Sequence, residues 1–82
     1  MDFRIEAKKE GDRTVIQVAG ELKGQGVVEL ERLCRETTGH LSLDLSNLRA
    51  SGPGGVQLIR ELARRGVAIS GVSPYMELVL GI

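Results

Sequence analysis

Apolar and charged residues alternate near the start of the chain, over residues 3–8. A period of two predicts a β-strand with one buried face. A charged segment that contains a glycine, residues 9–13, separates it from residues 14–19, which are rich in β-branched side chains. The two runs therefore predict an antiparallel hairpin with a loop of several residues. The charges on the first strand are typical of a sheet edge, where they discourage association through unpaired backbone groups.

After the hairpin, segments whose apolar residues have helical spacing alternate with segments whose apolar residues have strand spacing, up to the end of the chain. In residues 41–45 the leucines point one way, and Ser42 and Asp44 point the other, as in a sheet covered on one face. Apolar side chains at helical spacing precede and follow this strand. After the hairpin the pattern predicts a helix at residues 27–37, the strand at 41–45, a helix within 52–66, a strand at 67–70, and a short helix that Ser73 caps and Pro74 opens.

The predicted order β-β-α-β-α-β-α contains two βαβ units, which imply parallel pairing and right-handed crossovers. If the strands lie in sequence order, both crossover helices cover the same face of the sheet. We therefore expect an α/β fold: a four-stranded mixed sheet, with an antiparallel N-terminal hairpin plus parallel strands, and helices packed mainly on one face. The 82 residues suffice for one small core, so residues 1–82 are expected to form a single domain.

Charge and composition argue against nucleic-acid binding and membrane insertion. The 11 basic and 11 acidic side chains cancel, so no electrostatic footprint indicates nucleic acid or an anionic membrane. With one Phe, one Tyr and no Trp, the chain also lacks a platform for base stacking. No leader-like h-region and no membrane-length apolar run are evident. We expect a cytoplasmic protein with no direct membrane insertion.

Signals for catalysis or metal binding are weak. His40 is the only histidine and lies at a helix–strand junction, which is typical of a structural residue. Cys34 is the only cysteine, so no internal disulfide or thiolate cluster can form, and its place on an apolar helix face indicates the core. Asp44 has no partner carboxylate at a useful spacing, and we expect it to accept hydrogen bonds from the residues that follow it. The sequence predicts no enzyme, no metal and no cofactor.

A binding surface is expected where the parallel strands end, because ligands of open α/β sheets gather there. Three segments rich in Gly and Ser, residues 20–26, 48–55 and 70–73, converge at that edge. The N–H groups of Gly54 and Gly55 open the second helix and would favour an anion. Pro53 removes one donor, few charges lie nearby, and no Walker or GxGxxG pattern is present, which favours a plain helix start. A site for a nucleotide or another small molecule is an alternative.

Several motifs taken together resemble the STAS domain, the fold of anti-sigma factor antagonists that also occurs in sulfate transporters and lipid-transport ABC assemblies. They are Gly20-Glu21-Leu22, the segment LDLSNL at residues 43–48, Gly55 with the helix after it, and Gly71-Val72-Ser73-Pro74. The resemblance covers about residues 5–82 and implies a non-catalytic module.

The resemblance also implies a regulatory device. In the antagonists, a partner kinase phosphorylates a serine in an Asp-Ser-Ser/Ala-Gly motif that opens the second helix, and this switches partner binding off. The motif falls here on Gly52-Pro53-Gly54-Gly55, so Gly52 takes the acidic position and Pro53 takes the acceptor position. Proline has no hydroxyl, and we therefore expect the usual phospho-switch to be absent. Ser51, two residues earlier, is a weak alternative acceptor.

The sequence thus predicts a protein partner rather than a substrate. The partner would be a regulator that resembles an anti-sigma factor or kinase. The alternative partner is the ATPase subunit of a membrane-transport (ABC) assembly. Arg60 and Arg64 form a charged helix face that either meets an acidic partner or only solvent. The predicted contact residues are Leu22, Lys23, Gly24, Asp44, Ser51, Gly52, Pro53, Gly54, Gly55, Arg60 and Arg64.

Overall fold

The computed structural model describes residues 2–82; Met1, the first residue of the predicted domain, lies outside them. The described chain folds into four strands and three helices in the predicted order. Their bounds are β1 Phe3–Glu10, β2 Arg13–Leu22, α1 Gln25–Glu36, β3 His40–Ser51, α2 Pro53–Arg64, β4 Ala68–Ser70 and α3 Pro74–Leu80. None of these helices is long and apolar enough to cross a membrane.

The strands lie side by side in sequence order, β1-β2-β3-β4. β1 and β2 are antiparallel, and β2–β3 and β3–β4 are parallel, which confirms the predicted mixed sheet. The register places Ile16 beside Leu43 and Leu43 beside Ile69 on the helix-covered face. On the opposite face, Gln17 lies beside Asp44. One face is therefore apolar and the other polar, as the alternation in the sequence predicts.

One cluster of buried side chains joins the sheet to all three helices. It comprises Ile16, Val18, Leu22, Leu30, Leu43, Leu45, Leu48, Ile59, Leu62, Met76 and Leu80. Ser73 caps α3 as predicted, because its hydroxyl accepts a hydrogen bond from the Met76 N–H at 3.1 Å.

The second and third strands run further than their sequence pattern predicts. Residues 20–22 and 46–51, which were expected to be loop, pair with each other and extend β2 and β3. Two register shifts accompany this pairing, one between Gln17 and Ala19 and one between Gly20 and Glu21. A bulge inserts an extra residue into one strand, so the alternation of apolar and polar side chains loses its phase there. That loss of phase is why the sequence pattern ended the third strand at residue 45.

Candidate functional site

The N-terminal ends of α1 and α2 lie beside each other at the edge where the parallel strands end. The Gly52 N–H donates a hydrogen bond to the Leu22 carbonyl at 3.0 Å, which ties the start of α2 to the end of β2. A Cβ built on Gly52 would lie 3.6 Å from the Lys23 Cβ, and one built on Gly54 would lie 4.0 Å from the Val27 methyls. Lys23, Gly24 and residues 52–54 therefore form one continuous surface, here called the α2 entry surface.

The α2 entry surface presents little side-chain chemistry. Pro53 and Gly54 are exposed, and Gly52, the N-cap, has extended backbone. Among residues 2–82, no side chain makes a capping hydrogen bond at this helix start. Lys23 is its one charged side chain, and its ammonium lies 3.5 Å from the Glu21 carboxylate. Because the surface is built of glycine and proline, a partner can approach its backbone closely.

Ser51 faces the interior side of this surface. Its hydroxyl lies 3.0 Å from the Gly52 carbonyl oxygen and 3.4 Å from the Leu22 carbonyl oxygen, and it donates toward both. A Cβ on Gly55 would collide with the same hydroxyl oxygen. Ser51 is half-buried, so phosphorylation there would require this packing to open.

Leu22 and Gly55 are corrections to the predicted contact surface. The Leu22 side chain is fully buried in the core, and Gly55 is buried beneath it. A Cβ on Gly55 would lie 3.0 Å from both Cγ and Cδ2 of Leu22, closer than side chains normally approach. Neither residue can touch a partner in this structure. They instead hold the first turn of α2 against the end of β2.

Arg60 and Arg64 lie along α2, away from its start. Arg60 donates from Nε to the Leu80 carbonyl at 2.6 Å and so binds α2 to the C-terminal end of α3. Arg64 donates to Glu61 at 2.6 Å, and Arg65 Nε lies 3.4 Å from the other oxygen of the same carboxylate. The Arg64 guanidinium lowers the pKa of the Glu61 carboxyl. Arg64 is eleven residues beyond Pro53, roughly 16 Å along the helix axis, so it is not part of the α2 entry surface.

Asp44 lies on the open face of the sheet, not at the start of α2. It accepts hydrogen bonds from the Ser46 hydroxyl at 2.5 Å and the Ser46 N–H at 3.0 Å, as the sequence predicts for the residues that follow it. These donors lower the pKa of the Asp44 carboxyl. Asp44 and Ser51 are seven positions apart in β3, roughly 23 Å of strand. Asp44 therefore steadies the bulge in β3 instead of joining the contact surface.

His40 and Cys34, the two residues considered for catalysis or metal binding, also lie outside the α2 entry surface. His40 is exposed at the start of β3, the opposite end of that strand from Ser51, and its Nε2 lies 4.0 Å from Asp12. Cys34 packs against the core from α1, and burial raises the pKa of its thiol. Residues 2–82 hold no group of three or more His, Cys, Asp or Glu side chains placed for a metal ion.

One cavity borders the α2 entry surface, and a second lies apart from it. An open groove of about 650 Å³ runs between α1 and α2, with Cys34, Leu58 and Leu62 among its apolar lining residues and Gly54 at its margin. A smaller one of about 140 Å³ lies on the open face of the sheet beside Gln17 and Asp44. The sequence predicted no cavity between α1 and α2. The helical pattern predicts which residues face this groove. The width of the groove depends on how far α1 and α2 diverge.

Comparisons of the sequence with protein-family models and with curated proteins give no match. The structure, by contrast, is similar to the crystal structure of an antisigma-factor antagonist, a STAS domain from Rhodobacter sphaeroides. The TM-score is 0.63, and the similarity covers 84% of this chain and 86% of that chain at 22% sequence identity. The chain has a STAS fold.

The STAS fold accounts for the arrangement around α2. Its mixed sheet and layer of helices bring the end of β2 and the start of α2 together, as the hydrogen bond from Gly52 to Leu22 shows. Pro53, which the sequence resemblance aligns with the phospho-acceptor, is the first residue of α2 and is exposed. Val27 also lines this region next to Gly54. Val27 is not among the contact residues that the sequence predicts.

Proposed function

We propose that residues 1–82 act as a single, non-catalytic protein-interaction domain that binds a regulatory protein through the α2 entry surface. The observation that carries this proposal is the exposed, uncapped first turn of α2, built of Gly52, Pro53 and Gly54 beside Lys23. The structurally similar Rhodobacter sphaeroides protein is an antisigma-factor antagonist, which supports a partner of the anti-sigma type and a role in transcription regulation in the cytoplasm.

Binding at this surface would depend on shape and not on a phosphate switch. Pro53 offers no hydroxyl, and the hydroxyl of Ser51 is turned toward two backbone carbonyls. A kinase-like partner would therefore bind this domain without inactivating it. The domain would act as a constitutive binder whose effect depends on its concentration.

We predict that Gly54→Glu abolishes partner binding while leaving the fold intact. A side chain at residue 54 projects from the surface, and its Cβ meets only the Val27 methyls at 4.0 Å. The matched control is Thr38→Glu, which adds the same charge at an exposed position at the other end of the parallel strands. Tagged wild type and both variants are purified from their native cells after chemical cross-linking, and cross-linked peptides are identified by mass spectrometry.

In that experiment, wild type and Thr38→Glu should form the same cross-links from Lys23 to one protein, and Gly54→Glu should lose at least nine-tenths of them. Equal cross-linking by Gly54→Glu would contradict the proposed surface. A circular-dichroism melt of each variant shows that any loss does not arise from unfolding.

We further predict that the double substitution Gly52→Asp with Pro53→Ser creates a phospho-acceptor that the natural chain lacks. Both positions accept a side chain, because a Cβ on Gly52 would make only an ordinary contact at 3.6 Å and Pro53 is exposed. A phosphate at the first turn of a helix is stabilised by the helix dipole. An anti-sigma-type kinase with ATP should add one phosphate to the double variant and none to wild type, measured by intact-mass spectrometry. Phosphate on Ser51 of the wild-type chain would contradict an absent switch.

A further inference from the structure

The α2 entry surface is too small to bind a protein partner specifically by itself. It consists of five residues, Lys23, Gly24 and residues 52–54, and three of them are glycines. A specific interface buries about 800 Å² on each partner and involves about 20–30 residues of each. A partner that binds at this surface must therefore also cover a neighbouring part of the molecule.

The groove between α1 and α2 continues directly from the α2 entry surface. Gly54 belongs to both, and Val27, whose methyls would lie 4.0 Å from a Cβ on Gly54, also lines the groove. From Gly54 the groove follows α2 to Arg65, eleven positions further, or roughly 16 Å along the helix axis. It is lined by 15 residues, so the two surfaces together approach the size of a specific interface.

Partly exposed apolar side chains line this groove. Val27 and Cys34 belong to α1, Leu58 belongs to α2, Leu41 belongs to β3, and Val67 comes just before β4. All five are half-buried, because each packs against the core on one side and faces the groove on the other. Removal of this apolar surface from water would favour a partner that presents apolar side chains of its own.

The two walls of the groove are shaped to pack against another helix. On each wall the lining residues recur every four positions along their helix. They are Val27, Glu31 and Arg35 on α1, and Gly54, Leu58 and Leu62 on α2. Rows at this spacing are the ridges between which the side chains of a further helix pack. A length of roughly 16 Å accommodates about three turns of such a helix.

The charged residues of the groove favour an acidic partner. Three arginines, Arg35, Arg64 and Arg65, line it with only two glutamates, Glu31 and Glu61. Arg64 and Arg65 share the Glu61 carboxylate, at 2.6 and 3.4 Å. Arg35 is exposed, and within the described part of the chain it makes no ion pair. The excess positive charge would attract an acidic residue at the edge of the bound helix.

We propose that the regulatory partner lays an amphipathic helix in the groove between α1 and α2, with its apolar side against Leu58 and Cys34 and an acidic residue facing Arg35. This inference rests on the proposed function, because the same partner covers the α2 entry surface. The groove supplies most of the apolar area of the interface. The glycines and Pro53 at the start of α2 supply the close approach to the backbone.

Two variants of the groove test this inference, each with a matched control outside it. Leu58→Glu places a carboxylate among the apolar lining residues, and its control is Leu78→Glu on α3, where the side chain is exposed at 84%. Arg35→Glu reverses the charge that meets the partner, and its control is Lys8→Glu at an exposed position of β1. The four variants are cross-linked in their native cells and purified in the same way as Gly54→Glu. Each groove variant should lose at least about nine-tenths of the cross-links from Lys23 to the partner, and each control should keep them.

Cys34 supplies a readout that needs no variant. It is the only cysteine of the chain and is a half-buried lining residue of the groove, so a bound helix should shield its thiol. In the wild-type protein, N-ethylmaleimide should react with Cys34 at least about tenfold more slowly in the cross-linked complex than in the free chain. Mass spectrometry of the cysteine-containing peptide measures both rates.

The outcomes distinguish this inference from the proposed function. If either folded groove variant keeps its cross-links from Lys23, or if Cys34 reacts equally fast in both forms, no helix occupies the groove, although the partner still binds at the start of α2. A wild-type chain that forms no cross-link from Lys23 overturns the proposed function and this inference with it. A circular-dichroism melt identifies any variant that unfolds. If Leu58→Glu does so, the exposed Arg35 and the Cys34 thiol decide the result.

Discussion

Gly20→Ala is expected to cost about 2–5 kcal/mol in free energy of unfolding, the largest effect predicted for a single methyl group. Gly20 has φ of +84°, a left-handed backbone conformation that costs an alanine about 1–2 kcal/mol. A Cβ there would also collide with the Asp2 carbonyl oxygen and lie 3.1 Å from the Phe3 Cα. Backbone atoms of a paired strand cannot rotate away as a side chain can. The added methyl must therefore push the start of β1 off β2 or distort both strands.

The variant Gly11→Ala distinguishes the cost of a left-handed backbone from the cost of the steric collision. Gly11 also has a left-handed backbone, with φ of +66°, but no atom lies within 4 Å of the place where its Cβ would be. Its replacement should therefore cost only the conformational strain, about 1–2 kcal/mol. Urea denaturation followed by circular dichroism gives both free energies. If both substitutions lower the free energy of unfolding equally, the start of β1 can move aside at no cost. That result would contradict the close approach of Asp2 to Gly20.

Gly55→Ala and Gly54→Ala should change stability in opposite directions, although the two glycines are neighbours in the first turn of α2. A methyl on Gly55 would overpack the contact with Leu22 and Ser51, which typically costs about 1–3 kcal/mol. A methyl on Gly54 makes only ordinary contacts with Val27 and stiffens the unfolded chain, a gain of up to about 1 kcal/mol. The same helix gain of about 1 kcal/mol offsets part of the loss at Gly55, so a net loss of up to about 2 kcal/mol is expected there.

Thermal and urea unfolding of both variants measure this difference in sign. A stabilising Gly55→Ala would mean that the start of α2 is not held against Leu22, and that the α2 entry surface is not rigid. The difference matters for function, because a preorganised surface binds its partner without an ordering cost. Gly55→Ala should therefore also weaken partner binding, whereas Gly54→Ala should alter it only through the methyl group that it adds to the surface.

The amino-acid sequence by itself determined the order of the elements, the mixed sheet and its covered face. These follow from local causes: the period of apolar side chains decides strand or helix, and right-handed crossovers put both crossover helices on one face once the strands lie in sequence order. The cap at Ser73, the pair of Glu61 with Arg65 and the hydrogen bonds to Asp44 also join residues within four positions of each other. Patterns over such short distances can be read along the chain.

Only the tertiary structure decided which predicted contact residues are accessible. Leu22 and Gly55 pack against each other across 33 positions of sequence, and Arg60 finds the Leu80 carbonyl twenty residues away. The extra pairing that lengthens β2 and β3 depends in the same way on two distant segments meeting with bulges between them. Local periodicity does not encode which distant atom fills a given space. Close packing and strand register settle that once the core has formed, and here they leave Lys23, Gly24 and residues 52–54 at the surface.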